Sequence, residues 1–195
     1  MNKNIMIGAL TLSAFLSVSD ASALPSKLDN MEKRTIFITS AQFNGNLGGT
    51  AGADAKCNEA AAHPDALVPS GTYKALIADE QQAWADVLPT ENVLYMSAMN
   101  EPTTTAFHLL HGRGAFSSLG LNEFGAYQSI SQAWTGYTPT NDSFINSKNC
   151  ANWTSDKGWS APLFDEGATF DYPGYYITSS LDVCESQHSL ICVQQ

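Results

Sequence analysis

Four cysteines, Cys57, Cys150, Cys184 and Cys192, constrain this chain more than any other feature. They form an even set in a chain that opens with an export signal. Exported proteins meet oxidising conditions, so two disulfides are expected. Zinc is the competing reading. It is disfavoured because no pair has C-x-x-C spacing and only His188 lies close to a cysteine in sequence. Four cysteines allow three connectivities, and spacing alone does not choose among them. If they are nested, Cys57–Cys192 would be worth roughly 5 kcal/mol and Cys150–Cys184 roughly 4 kcal/mol, as upper-end chain-entropy figures.

The export signal is read from Lys3, the apolar run Ile5 to Val18, and the small-x-small site Ala21-Ser22-Ala23 ahead of Leu24-Pro25. The apolar run falls short of the about 20 residues that span a bilayer. No cysteine follows it to carry a lipid. The expected organisation is a signal peptide over 1–23, a flexible leader over 24–33 and one domain over 34–195. The style of the signal indicates a bacterial protein, secreted to the periplasm or beyond. After processing, no segment is expected to insert in a membrane.

The 195 residues carry a formal charge of −10, from 9 Lys+Arg and 19 Asp+Glu. Nucleic acid is therefore an unexpected partner, because nothing supplies the cationic footprint that phosphates require. Anionic lipid and heparin are unexpected partners on the same ground. With 44% hydrophobic and 14% charged residues, the chain can bury a core and is not a disordered acidic tail.

The β-branched run Arg34 to Thr39 predicts a strand. Gly45, Gly48 and Gly49 predict a turn into an Ala-rich helix, Ala51 to Ala62. There Ala53, Cys57, Ala60 and Ala61 share one buried stripe. Strands are expected at Tyr73–Ala78, Val93–Met96, Gln132–Gly136, Cys150–Thr154 and Leu190–Val193, and also over Phe107–Leu110. A short second helix is expected over Gln81–Val87, with Trp84 and Val87 on one face. Residues 97–131 carry little pattern. Helices early and short strands late give an α+β class.

Five motifs add a resemblance. Gly52-Ala53-Asp54 followed by Cys57, Gly71-Thr72-Tyr73-Lys74-Ala75-Leu76, Trp134-x-Gly136, Cys150-x-x-Trp153 and Leu190-Ile191-Cys192-Val193 occur in this order. Together they resemble endostatin and, more broadly, the C-type lectin-like fold. The resemblance is closer to uncharacterised exported bacterial proteins of that fold. It implies a compact mixed sheet with two helices outside. It also implies nested disulfides, Cys57–Cys192 and Cys150–Cys184.

Lectin chemistry does not carry over with it. Calcium needs six to eight oxygens. Glu101-Pro102-Thr103 lies on the wrong side of Trp134, and Asn152-Trp153-Thr154 is not the calcium strand. Endostatin's heparin face needs many arginines, and this chain has only Arg34 and Arg113. Its zinc site needs an N-terminal histidine, and none occurs between residues 24 and 62.

The remaining chemistry is thin. His108 and His111 would need a helix to share a metal, and they read better as structural or surface residues. Asp165, Glu166 and Asp171 lack EF-hand spacing and read as a solvated acidic loop. No G-x-S-x-G or H-E-x-x-H motif occurs. No catalytic residue, metal ligand or cofactor is assigned. Trp134 and Trp153 are expected in the core. The candidate ligand-binding residues are Trp159, Tyr172, Tyr175 and Tyr176, because rings on loops give stiff contact area. The expected function is a secreted recognition module for a protein or glycan partner, host-directed in one reading and hence a candidate virulence factor, without a calcium site. The alternatives are a small secreted hydrolase with an acidic or His–carboxylate site, and a structural role at the envelope. A non-enzyme is the favoured reading.

Overall fold

The computed structural model describes residues 27–88, 92–111, 115–128, 132–138, 143–144, 149–166 and 177–195. The chain divides into two compact units, Met1–Asn30 and Met31–Gln195. The first contributes a single 3-10 turn, Lys27–Asn30, to the described residues.

The second unit is α+β. It is built on an eight-stranded mixed sheet in the order β4-β3-β1-β10-β5-β8-β9, with β2 beside β10. Its strands are β1 (Glu32–Ile38), β2 (Tyr73–Ala75), β3 (Val93–Met96), β4 (Pro102–Thr105), β5 (Gln132–Trp134), β8 (Trp159–Glu166), β9 (Ile177–Val183) and β10 (Ser189–Gln194). A two-stranded sheet pairs β6 (Tyr137–Thr138) with β7 (Ser143–Phe144). Strand β1 runs parallel to β3 and antiparallel to β10. The first and last strands of the unit are thus neighbours at its centre.

Strand alternation separates the core into two clusters, one on each face. Ile36, Ile38, Leu76, Ala78, Ile191 and Val193 point to one. Phe37, Ala75, Ile77, Leu190 and Cys192 point to the other. On the second face lies α1 (Gly49–Ala61), which turns Ala53 and Cys57 inward. The Gly48 N-cap takes φ +82, a conformation that glycine adopts without a Cβ penalty. Cys57 reaches Cys192 on β10 and Cys150 reaches Cys184, with Cα–Cα distances of 5.6 and 5.7 Å. The pairing is nested. Trp134 and Trp153 are fully buried beside these bridges, and their indole N–H groups donate to the carbonyls of Phe43 and Ala78.

Several boundaries differ from the sequence expectation. Strand β1 begins at Glu32, ahead of Arg34. Strand β2 ends at Ala75, and α2 is one turn, Trp84–Val87, with both named residues buried. Strand β5 ends at Trp134. Phe107–Leu110 is not a strand but belongs to a short helix, α3 (Ala106–Leu110). The Thr105 hydroxyl starts it by accepting from the His108 N–H at 3.1 Å, which stops β4. Ala106 and Leu109, three apart, then face inward together. Cys150–Thr154 is not a strand either. Cys150–Trp153 forms a turn, α4, whose residues all have positive φ, from 53° to 62°. It is a single left-handed turn, held by Trp153 N–H to Asn149 O at 2.8 Å and Thr154 N–H to Cys150 O at 3.1 Å.

Candidate functional site

A cleft of about 490 Å³ opens where the start of β1, the end of β3 and the end of β10 meet the 67–69 loop. Sheet pairing brings these segments together. Thr35 is the partner of Met96, and Ile36 is the partner of Val193, next to Gln194. The apolar lining residues of the cleft are Leu67, Pro69, Met96 and Ala98. Its polar lining residues are Lys33, Arg34, Thr35, Ser97, Asn100 and Gln194. Among the described residues, no histidine and no carboxylate lines it.

The fold engages several acceptors of this wall. Gln194 Oε1 accepts from the Thr35 N–H at 3.0 Å. Ser97 Oγ accepts from the N–H groups of Met99 and Glu101, at 3.2 and 3.3 Å. The Pro69 carbonyl accepts from the Tyr73 hydroxyl at 2.8 Å. Burial pushes the Tyr73 phenol up to about 12, against the opposing effect of its bond with Thr35, so it stays protonated. Arg34 Nε donates to Glu32 Oε1 at 2.8 Å, and strand alternation sets this side chain on the Ile36 face of β1, opposite Thr35 and Gln194. Among the described residues, its outer N–H groups, Lys33 Nζ, Gln194 Nε2 and the Asn100 side chain make no further bond.

Behind Arg34, its partner in register is Tyr95. Burial pushes the Tyr95 phenol up to about 12, although the Arg34 charge pulls it down. At the rim, Leu67 and Met99 are 57% and 54% exposed. They meet over Gly125, where a Cβ would come within 2.6 Å of Met99 Sδ and 3.1 Å of Leu67 Cδ1. The turn beneath is braced by Glu123, whose carboxylate accepts from the Ser40 N–H and hydroxyl.

The residues singled out from sequence lie elsewhere. Trp159 begins β8 opposite Val183; its side chain, and all of Tyr172, Tyr175 and Tyr176, fall outside the described residues. So does Asp171, while Asp165 and Glu166 end β8. His108 sits half-buried on α3 against the edge of Phe116. His111 is exposed and stacks on Phe107, 4.2 Å between centroids. Neither reaches the cleft. Among the described residues, no group of three or more His, Cys, Asp or Glu side chains could hold a metal. Gly45 to Gly52 is the turn into α1, and a Cβ at Gly45 would collide with Cys150 Sγ.

Sequence reasoning missed two arrangements. One is His188 with Asp182, Nε2 to Oδ2 at 2.8 Å, in which the imidazole also meets Trp134 edge-on. Burial raises the Asp182 carboxyl, but bonds from the Val183 N–H, His188 and Ser186 overcome it, so its pKa is lowered. The pair joins β9 to the start of β10. The other is the cleft itself. Its one local signal was Lys33-Arg34, the sole adjacent pair of cations in the sequence.

Fold and site together define a disulfide-stapled α+β domain with a cleft at its strand ends. The chain belongs to the DUF1554 family, described as a protein of unknown function, whose model matches residues 40–168. None of the curated proteins matches the chain. The two disulfides suit an oxidising compartment. Among the described residues, no helix is long and apolar enough to cross a membrane.

Proposed function

We propose that this chain is a secreted recognition module of the compact, endostatin-like C-type lectin-like fold, binding a protein or glycan partner without a calcium site. The fold reading is supported by the nested bridges, by β1 and β10 lying side by side, and by α1 tethered to β10 through Cys57. Export through residues 1–23, with a leader over 24–33, is part of the same reading. The observation that carries the function is the cleft. It has binding size and both apolar and polar lining residues, and among the described residues no His–carboxylate pair of the kind a hydrolase would need lines it. The rings of Trp159, Tyr172, Tyr175 and Tyr176 remain a second contact surface in this proposal.

The test is a binding screen of the purified protein against glycans and host-surface proteins, repeated with EDTA. Saturable binding that survives chelation supports the reading. Binding abolished by EDTA would overturn its metal-free form. Turnover of a glycan or peptide, without stable binding, would replace it with the hydrolase reading.

A further inference from the structure

We propose that the cleft takes an extended peptide segment through its main chain, as a strand added to the open half of β1. This rests on the recognition reading above and gives that site its ligand class. Strand β1 is paired in two halves. Glu32–Thr35 lie along β3, and Ile36–Ile38 lie along β10. Strand β10 follows β1 no further than Val193. Its last residues run on with β2, where Gln194 faces Tyr73 and the Gln195 N–H donates to Thr72 O at 2.9 Å. The two strands therefore part at Ile36. Among the described residues, no strand lies beside Glu32–Thr35 on the side away from β3.

The hydrogen bonds show which main-chain groups this leaves open. The Thr39 N–H donates to Leu190 O at 2.9 Å, toward β10, whereas the Ile38 N–H donates to Leu121 O at 3.0 Å, toward the other side. Main-chain groups alternate between the two edges of a strand, so Phe37, Thr35 and Lys33 also face the β10 side. Phe37 is matched there by Cys192 of β10. The Thr35 N–H is met by the Gln194 side chain, Oε1 at 3.0 Å, which stands in where the strands have parted. Gly71 makes room for that side chain, since a Cβ there would come within 2.9 Å of Gln194 Nε2. Lys33 is next, and among the described residues nothing bonds its N–H or C=O on that side. The cleft is lined by Lys33, Arg34 and Thr35 together. Side chains of consecutive strand residues point to opposite faces, so a cleft that touches all three reaches the open edge of the strand.

One donor and one acceptor in the plane of a sheet are the complement of another main chain, which brings both at strand spacing. The hydroxyls of a glycan carry no such repeat. A lone segment needs only about 4.8 Å beside β1. A second copy would have to bring its whole sheet edge past Leu67, Pro69 and Asn100, which also line the cleft. In an added strand, side chains alternate as they do in β1. Those on the Thr35 face meet Leu67, Pro69 and Met96, since Met96 is the register partner of Thr35 and the Pro69 carbonyl is held by Tyr73 on that face. Main-chain bonds supply the affinity, and this apolar face sets a preference for an aliphatic side chain at every second position.

The experiment is amide hydrogen exchange of the purified protein, read at Lys33 by NMR. In the free protein this amide should exchange fast, at a rate independent of protein concentration. One probe is acetyl-Thr-Val-Thr-Val-Thr-amide, whose valines share one face. The second is the same peptide N-methylated at two consecutive residues, which blocks both of its edges. The third is triacetylchitotriose. The first should slow Lys33 exchange and bind about tenfold more tightly than the second, the worth of one hydrogen bond. Lys33→Pro, which removes the N–H without touching the β3 ladder, should bind the peptide about tenfold more weakly than Lys33→Ala, which keeps it. Should Lys33→Pro not fold, the two peptides decide. Slow exchange in the free protein would overturn the proposal, because the chain itself would already cover the edge. Exchange that slows as protein concentration rises would give the edge to a second copy instead. Equal binding of the two peptides, equal binding by the two variants, or tighter binding of triacetylchitotriose would also overturn it. A partner from the screen that binds Lys33→Pro unchanged would sink the edge assignment alone. Absence of any partner in the screen would sink the recognition reading itself.

Discussion

The two faces of the central sheet are stabilised differently. One carries Trp84, Tyr95, Leu109, Val87 and Ile191, all at most 2% exposed, and contains no cysteine. The other contains all four cysteines and both bridges. The reason lies in the helix that covers it. Only Ala53 and Cys57 of α1 are fully buried, and alanine removes little apolar surface from water. A helix docked by small side chains sits close to the sheet but gains little from burial. The Cys57–Cys192 bridge supplies the missing constraint. Large side chains are buried on both faces, Trp134, Trp153, Tyr73 and Phe37 among them on the stapled one, so the contrast lies in α1 and not in the sheet.

The strongest challenge to this contrast is removal of the bridges. Replacing Cys57 and Cys192 together with Ser should cost up to about 5 kcal/mol in urea unfolding, and replacing Cys150 and Cys184 up to about 4 kcal/mol. Equal midpoints for parent and variants would show that α1 is held by packing after all. On the opposite face, Leu109→Ala should cost about 3 kcal/mol through the cavity it leaves. A smaller loss than any bridge removal fits a face whose stability is spread over many contacts. A loss exceeding both would reverse the ranking.

The stapled face was also the legible one. Cysteines, the alanine stripe of α1 and the β-branched runs of β1 and β10 are local signals, and each marks an element that is present. Across the sheet, α3 has five residues, too few for a 3.6-residue period to show, and its only start signal is Thr105. The left-handed turn at Cys150 was hidden for another reason. Its residues are not glycines, so nothing local announces positive φ. The cleft was beyond reach because Lys33, Asn100 and Gln194 are joined only by strand pairing. Lys33 and Gln194 also lie outside residues 40–168, where the family match falls.

Two carboxylates sharpen the comparison through pH, with opposite signs. Asp182, at the end of β9, has a lowered pKa. Its contribution is complete above the unfolded value of 3.8 and is lost as pH falls through the lowered folded value. Asp182→Asn should therefore cost about 1 kcal/mol near neutral pH, allowing for its partial exposure, and converge with the parent in acid. Asp54, on α1, is raised by burial, against the Ala75 N–H bond and the Lys74 charge. Its contribution is present below 3.8 and lost as pH rises through the raised value. Asp54→Asn keeps an acceptor for Ala75 and drops a buried charge, so it should gain about 0.5 kcal/mol at neutral pH. Urea midpoints across the acid range separate the two. Parallel pH profiles would refute the assignment of opposite signs.

The smallest effect tests whether the Cys150 bridge holds a strained segment. Ala151 sits at φ 54°, ψ 56° in the middle of the left-handed turn, with its side chain exposed. For an L-residue this conformation costs about 1–2 kcal/mol, because Cβ crowds the following carbonyl. Asn152, at φ 55°, tolerates it better through its short polar side chain, which here accepts from Asn149. Glycine at 151 would remove the crowding but add about 0.5–1 kcal/mol of unfolded-state entropy. The balance predicts that Ala151→Gly stabilises by about 0.5 kcal/mol. The gain should persist with the bridge reduced if Asn149 sets the turn, since the Asn149 carboxamide oxygen accepts from the Asn152 N–H at 3.0 Å. It should vanish if the bridge alone sets it, because the freed segment would rewind to negative φ, where glycine is the worse residue. Thermal unfolding of Ala151→Gly with and without Cys150–Cys184 distinguishes the two, and a destabilised variant with the bridge intact would show that the turn is not left-handed at all.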